Sequence, residues 1–272
     1  VRIARFAVPG SDPRFAVVEG GDEGGDGAVL AVLEGDPLYR PVQPTGERVA
    51  VRDTRLLAPV IPRSKVVGIG RNYAEHAAEL GNDLPVEPLL FLKPNTSVIG
   101  PGESVVLPSV SAQVHHEAEL AVVIGRLCKD VPRERAAEVI LGYTCADDVT
   151  ARDLQRRDGQ WARAKGFDTF CPLGPWIETS LDPADCSVTC RVDGELRQDG
   201  HTSALVHDVP ALVAYVSSVF TLLPGDVILT GTPGGVGPLH PGATVSVEIS
   251  GLGTLVHGVR AEAADEGERA RP

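Results

Sequence analysis

His115-His116-Glu117-Ala118-Glu119-Leu120-Ala121-Val122-Val123-Ile124-Gly125 organises the reading of this 272-residue chain. From Leu120 to Ile124 the run is apolar, partly β-branched and closed by Gly125, which predicts a buried strand. Residues two apart on a strand project from one face, so Glu117 and Glu119 are expected side by side. Two close carboxylates repel each other, and a hard divalent cation such as Mg²⁺ or Mn²⁺ between them would resolve the conflict. A strand end with two solvated acids fits the pair equally well, because Glu-x-Glu is a common pattern.

Outward from this strand, a second one leads through Tyr143-Thr144-Cys145-Ala146 to Asp147-Asp148 and a Thr150-capped helix start. Asp148 offers a third oxygen ligand, with Asp147 as its next-door competitor. Upstream, Val66-Val67-Gly68-Ile69-Gly70 is a strand running into a glycine turn. It is not a dinucleotide fingerprint, because Tyr73 stands where the third glycine belongs and no acid ends a second strand some 20 positions later. Residues 74–80 permit a short helix on which His76 and Glu79, at i and i+3, share a face. A carboxylate beside an imidazole fits a general base, and equally fits a solvated helical turn. Lys165 stands in an apolar setting where its pKa can move, or where its stem can lie along the surface. Downstream, Asp226-Val227-Ile228-Leu229 is a buried strand feeding the glycine-rich loop 230–237. That loop lacks the lysine of a P-loop, but its N–H groups and the hydroxyls of Thr230 and Thr232 suit a carboxylate.

The remainder is read more coarsely. Residues 1–60 form a small β unit with strands near 3–8, 14–18 and 28–33, ending at a proline-punctuated connector. Residues 61–262 are expected to be the main domain and 263–272 a frayed tail. Residues 81–89 read as a loop or lid. Hairpins are expected over 98–107 and around the Asp193-Gly194 turn, with helices from Pro132 to about 140 and over 209–222. Strands over 244–249 and 254–260 close the body, and no internal repeat is visible.

Composition limits the function classes. A hydrophobic content of 43% and a charged content of 23% are ordinary for a globular protein. The net charge of −12 argues against nucleic acid or an anionic membrane as partner. No apolar run approaches the roughly 20 residues that span a bilayer. The first residues alternate like a strand and lack a signal-peptide core, so a cytoplasmic protein is expected. Five cysteines fit neither a disulfide framework nor a zinc site, and read as free thiols.

From about Lys65 to Val259 the chain resembles the fumarylacetoacetate hydrolase superfamily, in its acylpyruvate hydrolase and oxaloacetate decarboxylase branch. Seven stretches carry the likeness in order: VGIGRNYAEHAAE, FLKPNTS, HHEAELAVVIG, GYTCADDVTARDLQ, AKGFDTFCPLGP, VDGELRQDG and VILTGTPGGVG. The resemblance implies a mostly β protein with a few helices, a mixed β-sandwich roll preceded by a small β domain, and a homodimer. It implies Glu117, Glu119 and Asp148 as ligands of Mg²⁺ or Mn²⁺, His76–Glu79 as a water-activating dyad, and Lys165 as a cationic partner of oxyanion charge. It places Arg152, Gln155 and Thr232 against the substrate. The implied activity is hydrolysis of a C–C bond in acylpyruvates, which are 2,4-dioxo acids, through a pyruvate enolate held at the metal. Oxaloacetate decarboxylation, keto–enol tautomerisation and 2-hydroxyhepta-2,4-diene-1,7-dioate isomerisation share that enolate and remain alternatives, as does a catalytically silent small-molecule binding protein.

Overall fold

Why Ala118–Ile124 becomes the centre of the molecule follows from its composition: all seven residues are buried. Leu120, Val122 and Ile124 point into one apolar cluster, while Ala121 and Val123 point into another. Alternation therefore fills both faces of one sheet. In the computed structural model, which describes residues 1–21, 27–75 and 85–263, this strand pairs antiparallel with Ile140–Asp147 on one side and Val227–Leu229 on the other.

Among the described residues the main sheet has twelve strands. Beyond Val227–Leu229 lie Val66–Gly70, in parallel, and Leu89–Lys93, antiparallel to it. Beyond Ile140–Asp147 lies Cys171–Glu178, which pairs with Arg2–Ala7 through Arg2 opposite Glu178 and Ile3 opposite Ile177. Arg14–Glu19, Val29–Leu33 and Pro44–Ala50 follow in turn, so the N-terminal strands extend the same sheet. Trp176 reaches from Cys171–Glu178 into a cluster with Phe6, Leu30 and Val32, joining the two regions through apolar contact.

A second sheet of five strands runs Glu195–His201, Ser187–Val192, Thr244–Ile249, Gly253–Ala261 and Ser104–Leu107. Its inward residues Val188, Cys190, Val245, Val247 and Leu255 share the largest cluster with Leu120 and Val122. The two layers thus bury one core between them, and the architecture is mostly β, as expected. Asp193 and Gly194 take φ of 52° and 81°, the left-handed pair that a tight hairpin turn requires. The helix Val209–Val219 is capped by Asp208, whose Oδ1 accepts the Ala211 N–H at 3.0 Å. No helix among the described residues is long and apolar enough to cross a membrane, and all five cysteines are buried and free.

Three local expectations need correction. Residues 98–107 are not a hairpin: Val98–Ile99 pairs in parallel with Cys171–Pro172, and Ser104–Leu107 pairs in parallel with Gly258–Ala261. Pro132 precedes a short 3₁₀ helix, Arg133–Glu138, of which only Ala136 is buried, too narrow an apolar face to hold a longer α-helix. Pro44–Ala50, absent from the sequence reading, is an outer strand whose Pro, Gly and charged residues hide its tendency. His76 and Glu79 lie outside the described residues, as do residues 81–84 of the expected lid.

Candidate metal centre and active site

Glu119 is the second residue of the central strand, and Glu117 stands one residue ahead of it. The two therefore do not share a strand face by simple alternation, yet they converge. Asp147 Oδ1 accepts the Glu117 N–H at 2.7 Å, and the Glu117 carbonyl accepts the Asp148 N–H at 2.9 Å. These two bonds fix the backbone around both acids. Ala118 is held as firmly, with its N–H donated to Gln198 Oε1 and its carbonyl accepting from the Thr232 hydroxyl, both at 2.9 Å. Gln198 Nε2 in turn donates to Thr232 Oγ1 at 2.7 Å. Behind them, His257 Nε2 meets Asp147 Oδ2 at 2.9 Å.

Glu117, Glu119 and Asp148 are all buried, and one oxygen from each lies within 4.8 Å of the others. Three cations answer them unequally. Lys165 Nζ donates to Glu117 Oε2 at 2.8 Å and to Asp148 Oδ2 at 2.5 Å. Lys93 Nζ takes the other Asp148 oxygen at 2.5 Å, and Arg152 pairs with Glu117. Glu119 receives only the Gly231 N–H, at 2.6 Å, and no cation within ion-pair distance among the described residues.

The electrostatics follow from this inequality. Burial, then the charges of Asp148 and Glu117, push the Glu119 carboxyl well above the usual carboxylate range. Burial acts to lower Lys165, but the Asp148 and Glu117 carboxylates outweigh it and hold the ammonium above its ordinary range. A buried, oxygen-only donor set whose third member lacks a cation suits a hard divalent ion, so the residues present fit Mg²⁺ or Mn²⁺.

The acids open into a cavity of about 290 Å³ lined by Glu117, Glu119, Arg152, Gln155, Lys165 and Thr232 together with Ile69, Gly70, Arg71, Arg156 and Trp161. Gln155 accepts from Arg152 Nη1 at 3.1 Å. Its apolar wall depends on two absent side chains. A Cβ on Gly68 would lie 2.0 Å from the Phe91 ring, and one on Gly70 would lie 2.7 Å from Trp161. The two rings meet edge to face with centroids 5.5 Å apart, and Lys165 Nζ sits 4.7 Å from the centre of Phe91.

All seven of the expected site residues that fall within the described residues are therefore gathered here. Sequence reasoning passed over Lys93, Gln198, His257, Arg71 and Trp161. Lys93 had a signal, a lysine ending an apolar strand inside FLKPNTS, and Gln198 lay inside VDGELRQDG.

Comparison with known proteins supplies the family. The pattern described as fumarylacetoacetate (FAA) hydrolase C-terminal matches residues 65–260, and the one described as Rv2993c-like, N-terminal matches residues 1–59. The chain belongs to the fumarylacetoacetate hydrolase family and is an enzyme of it. A solved 5-carboxymethyl-2-hydroxymuconate delta-isomerase from Mycobacterium smegmatis is 51% identical, with a TM-score of 0.88 over 96% of this chain and 100% of the other. The mitochondrial oxaloacetate decarboxylase of Dictyostelium discoideum is 44% identical over 197 residues, 70% of this chain and 90% of that protein. A maleylpyruvate hydrolase from Sphingobium sp. SYK-6, solved with manganese(II) and pyruvate, is 34% identical with a TM-score of 0.79, over 97% of this chain and 100% of the other.

Proposed function

We propose that this enzyme acts on 2-oxo acids with the help of a divalent cation, and that its leading reaction is cleavage of acylpyruvates. The observation that carries the reading is the convergence of Glu117, Glu119 and Asp148 at the end of a small cavity, with Lys165 and Arg152 against them. A divalent cation held by the three acids supplies Lewis-acid polarisation of the 2-oxo group.

The chain's own residues do the rest. Lys165, kept protonated by Glu117 and Asp148, donates to oxygen that gains negative charge as the C–C bond breaks. Arg152 and Gln155, fixed to each other, orient the substrate carboxylate. Trp161, backed by the Phe91 ring, gives the cavity an apolar side on which these charges act more strongly than in water. His76, oriented by Glu79, takes a proton from water, and the hydroxide adds to the distal carbonyl carbon. Breaking the bond between that carbon and C3 yields a carboxylic acid and the enolate of pyruvate, which takes a proton at C3.

A second reading is oxaloacetate decarboxylation or tautomerisation, in which cations must answer the negative charge of an enolate, and Lys165 and Arg152 line the cavity. The 44% identity to an oxaloacetate decarboxylase points the same way. A symmetric homodimer belongs to this proposal too, and light scattering giving a mass near 28.6 kDa would remove it.

The deciding experiment is a panel of acylpyruvates and oxaloacetate with Mg²⁺ or Mn²⁺, following loss of enol absorbance and release of pyruvate. Acylpyruvate turnover with stoichiometric pyruvate supports hydrolysis. Turnover of oxaloacetate alone moves the assignment to the second reading, and inertness toward the whole panel rejects both.

A further inference from the structure

We infer that Lys93 is a positioning residue: it holds Asp148 to a single cation-facing oxygen and thereby favours a small six-coordinate ion over Ca²⁺. The inference rests on the divalent-cation reading above and deepens it. Each of the three acids has one oxygen committed to a donor of this chain. Lys93 Nζ donates to Asp148 Oδ1 at 2.5 Å, the Gly231 N–H donates to Glu119 Oε2 at 2.6 Å, and Arg152 pairs with Glu117 Oε1. Lys165 Nζ meets the opposite oxygens of two of them, Glu117 Oε2 at 2.8 Å and Asp148 Oδ2 at 2.5 Å. A dication entering the site competes with Lys165 for those two oxygens. It competes with Lys93 only if Asp148 is to bind through both of its own.

The two lysines differ in how easily they yield. Lys93 closes the strand Leu89–Lys93, in register opposite Val66. Alternation puts it on the same face as Phe91, both buried, while Leu92 between them is exposed. Its side chain is fully buried, and Nζ is held a second time by the Val149 carbonyl at 3.3 Å. Lys165 lines the cavity from the five-residue helix Ala162–Gly166, whereas Lys93 stands outside that lining. An ammonium buried this deeply cannot exchange its carboxylate for water without a large desolvation cost, so Lys93 keeps Asp148 Oδ1 when Lys165 gives way. Three acids that each offer one oxygen suit the octahedral shell of Mg²⁺ or Mn²⁺, completed by water. Ca²⁺ takes about 6–8 oxygens, often both from one carboxylate, and is denied the second Asp148 oxygen.

The test titrates the full chain with Mg²⁺ and with Ca²⁺ by calorimetry, in the parent, Lys93→Met and Lys93→Gln. Losing an ammonium beside the acids raises affinity for every dication, and a lysine that only supported the fold would shift both ions alike. The ratio of the two dissociation constants therefore reports the positioning role. Preference for Ca²⁺ over Mg²⁺ should rise about 10-fold in Lys93→Met, within the ~10–100-fold that outer partners of a metal site command. Lys93→Gln should shift it less, because its amide still donates to Oδ1. In the Mn²⁺-loaded parent, broadening of the electron paramagnetic resonance signal by ¹⁷O-water should count about three bound waters, the six positions less one oxygen from each acid. An unchanged ratio in folded Lys93→Met, or about two waters or fewer in the parent, overturns the inference. A parent that binds neither ion rejects the divalent-cation reading as well. Ion binding without turnover of any 2-oxo acid rejects only the proposed reaction, and the ratio still judges Lys93.

Discussion

Asp147 and Asp148 are neighbours in the chain and turn their carboxylates to different tasks. Asp147 faces inward, accepting the Glu117 N–H at 2.7 Å and meeting His257 Nε2 at 2.9 Å. Asp148 faces the cavity acids and receives Lys93 and Lys165, each at 2.5 Å. The register places Asp147 opposite Ala118 as the last residue of its strand, and the chain leaves the sheet at Asp148. That departure turns the second carboxylate toward Glu117 and Glu119.

Glu117→Gln, Glu119→Gln and Asp148→Asn should each weaken Mg²⁺ or Mn²⁺ binding by more than about 100-fold, because changes to outer partners of a metal site already cost ~10–100-fold. Asp147→Asn should be milder, since an asparagine oxygen still accepts the Glu117 N–H. Isothermal titration calorimetry on the four variants decides, and an essential Asp147 beside a dispensable Asp148 would reverse the ligand assignment.

Lys165→Met separates a ligand from a stabiliser of developing charge. Turnover should fall about 10²–10³-fold, the cost of losing one preorganised donor. Divalent-ion affinity should hold or rise, because the ammonium that competes for Glu117 and Asp148 is gone. Loss of metal binding in this variant would contradict the proposed division of labour.

His76→Ala should reduce acylpyruvate cleavage about 10²–10⁴-fold, the usual worth of a positioned general base. Decarboxylation of oxaloacetate needs no activated water and should suffer much less. Glu79→Gln should fall between His76→Ala and the parent, and neither change should shift metal affinity. Equal acylpyruvate turnover in His76→Ala and the parent would sink the dyad.

Alkaline pH should destabilise the fold. Burial, then Asp182, pushes the Cys186 thiol from its ordinary 9.0 up to about 11, and burial raises Cys171 to about 12. Burial also raises the Tyr143 phenol from 10.0 to about 12. Above pH 9 the unfolded chain therefore holds fewer protons than the native one, and stability falls as pH rises toward these native values. Calorimetric Tm should be level around pH 7.5–8.5 and decline steadily beyond pH 9, and a flat profile to pH 11 would count against the buried thiols.

Local patterns made part of this legible. The apolar run 120–124 and the acids before it marked the central strand and two members of the site. Resemblance supplied Arg152 and Gln155, whose places no local rule suggests. What stayed hidden is non-local. The parallel partners of Val98–Ile99 and Ser104–Leu107 lie about 70 and 150 residues away, and no turn signal announces them. Gln198 and His257 act on Ala118 and Asp147 across the gap between two sheets, which sequence spacing does not encode. Glu117 and Glu119 do converge, with Glu117 just ahead of the strand and its N–H held by Asp147.

The fit of Gly68 and Gly70 against Phe91 and Trp161 bears on how this enzyme can be re-engineered. Each large ring occupies room that a missing methyl leaves open, so wall and groove must change together. Trimming Trp161 alone to widen the cavity exposes a trough above Gly70, while Gly70→Ala alone drives a methyl into the indole. Made jointly, Gly70→Ala and Trp161→Leu should cost less than the sum of the single changes, a coupling of roughly 0.5–3 kcal/mol readable from a double-mutant cycle. A library built to broaden substrate range would therefore do well to vary these two positions as a pair.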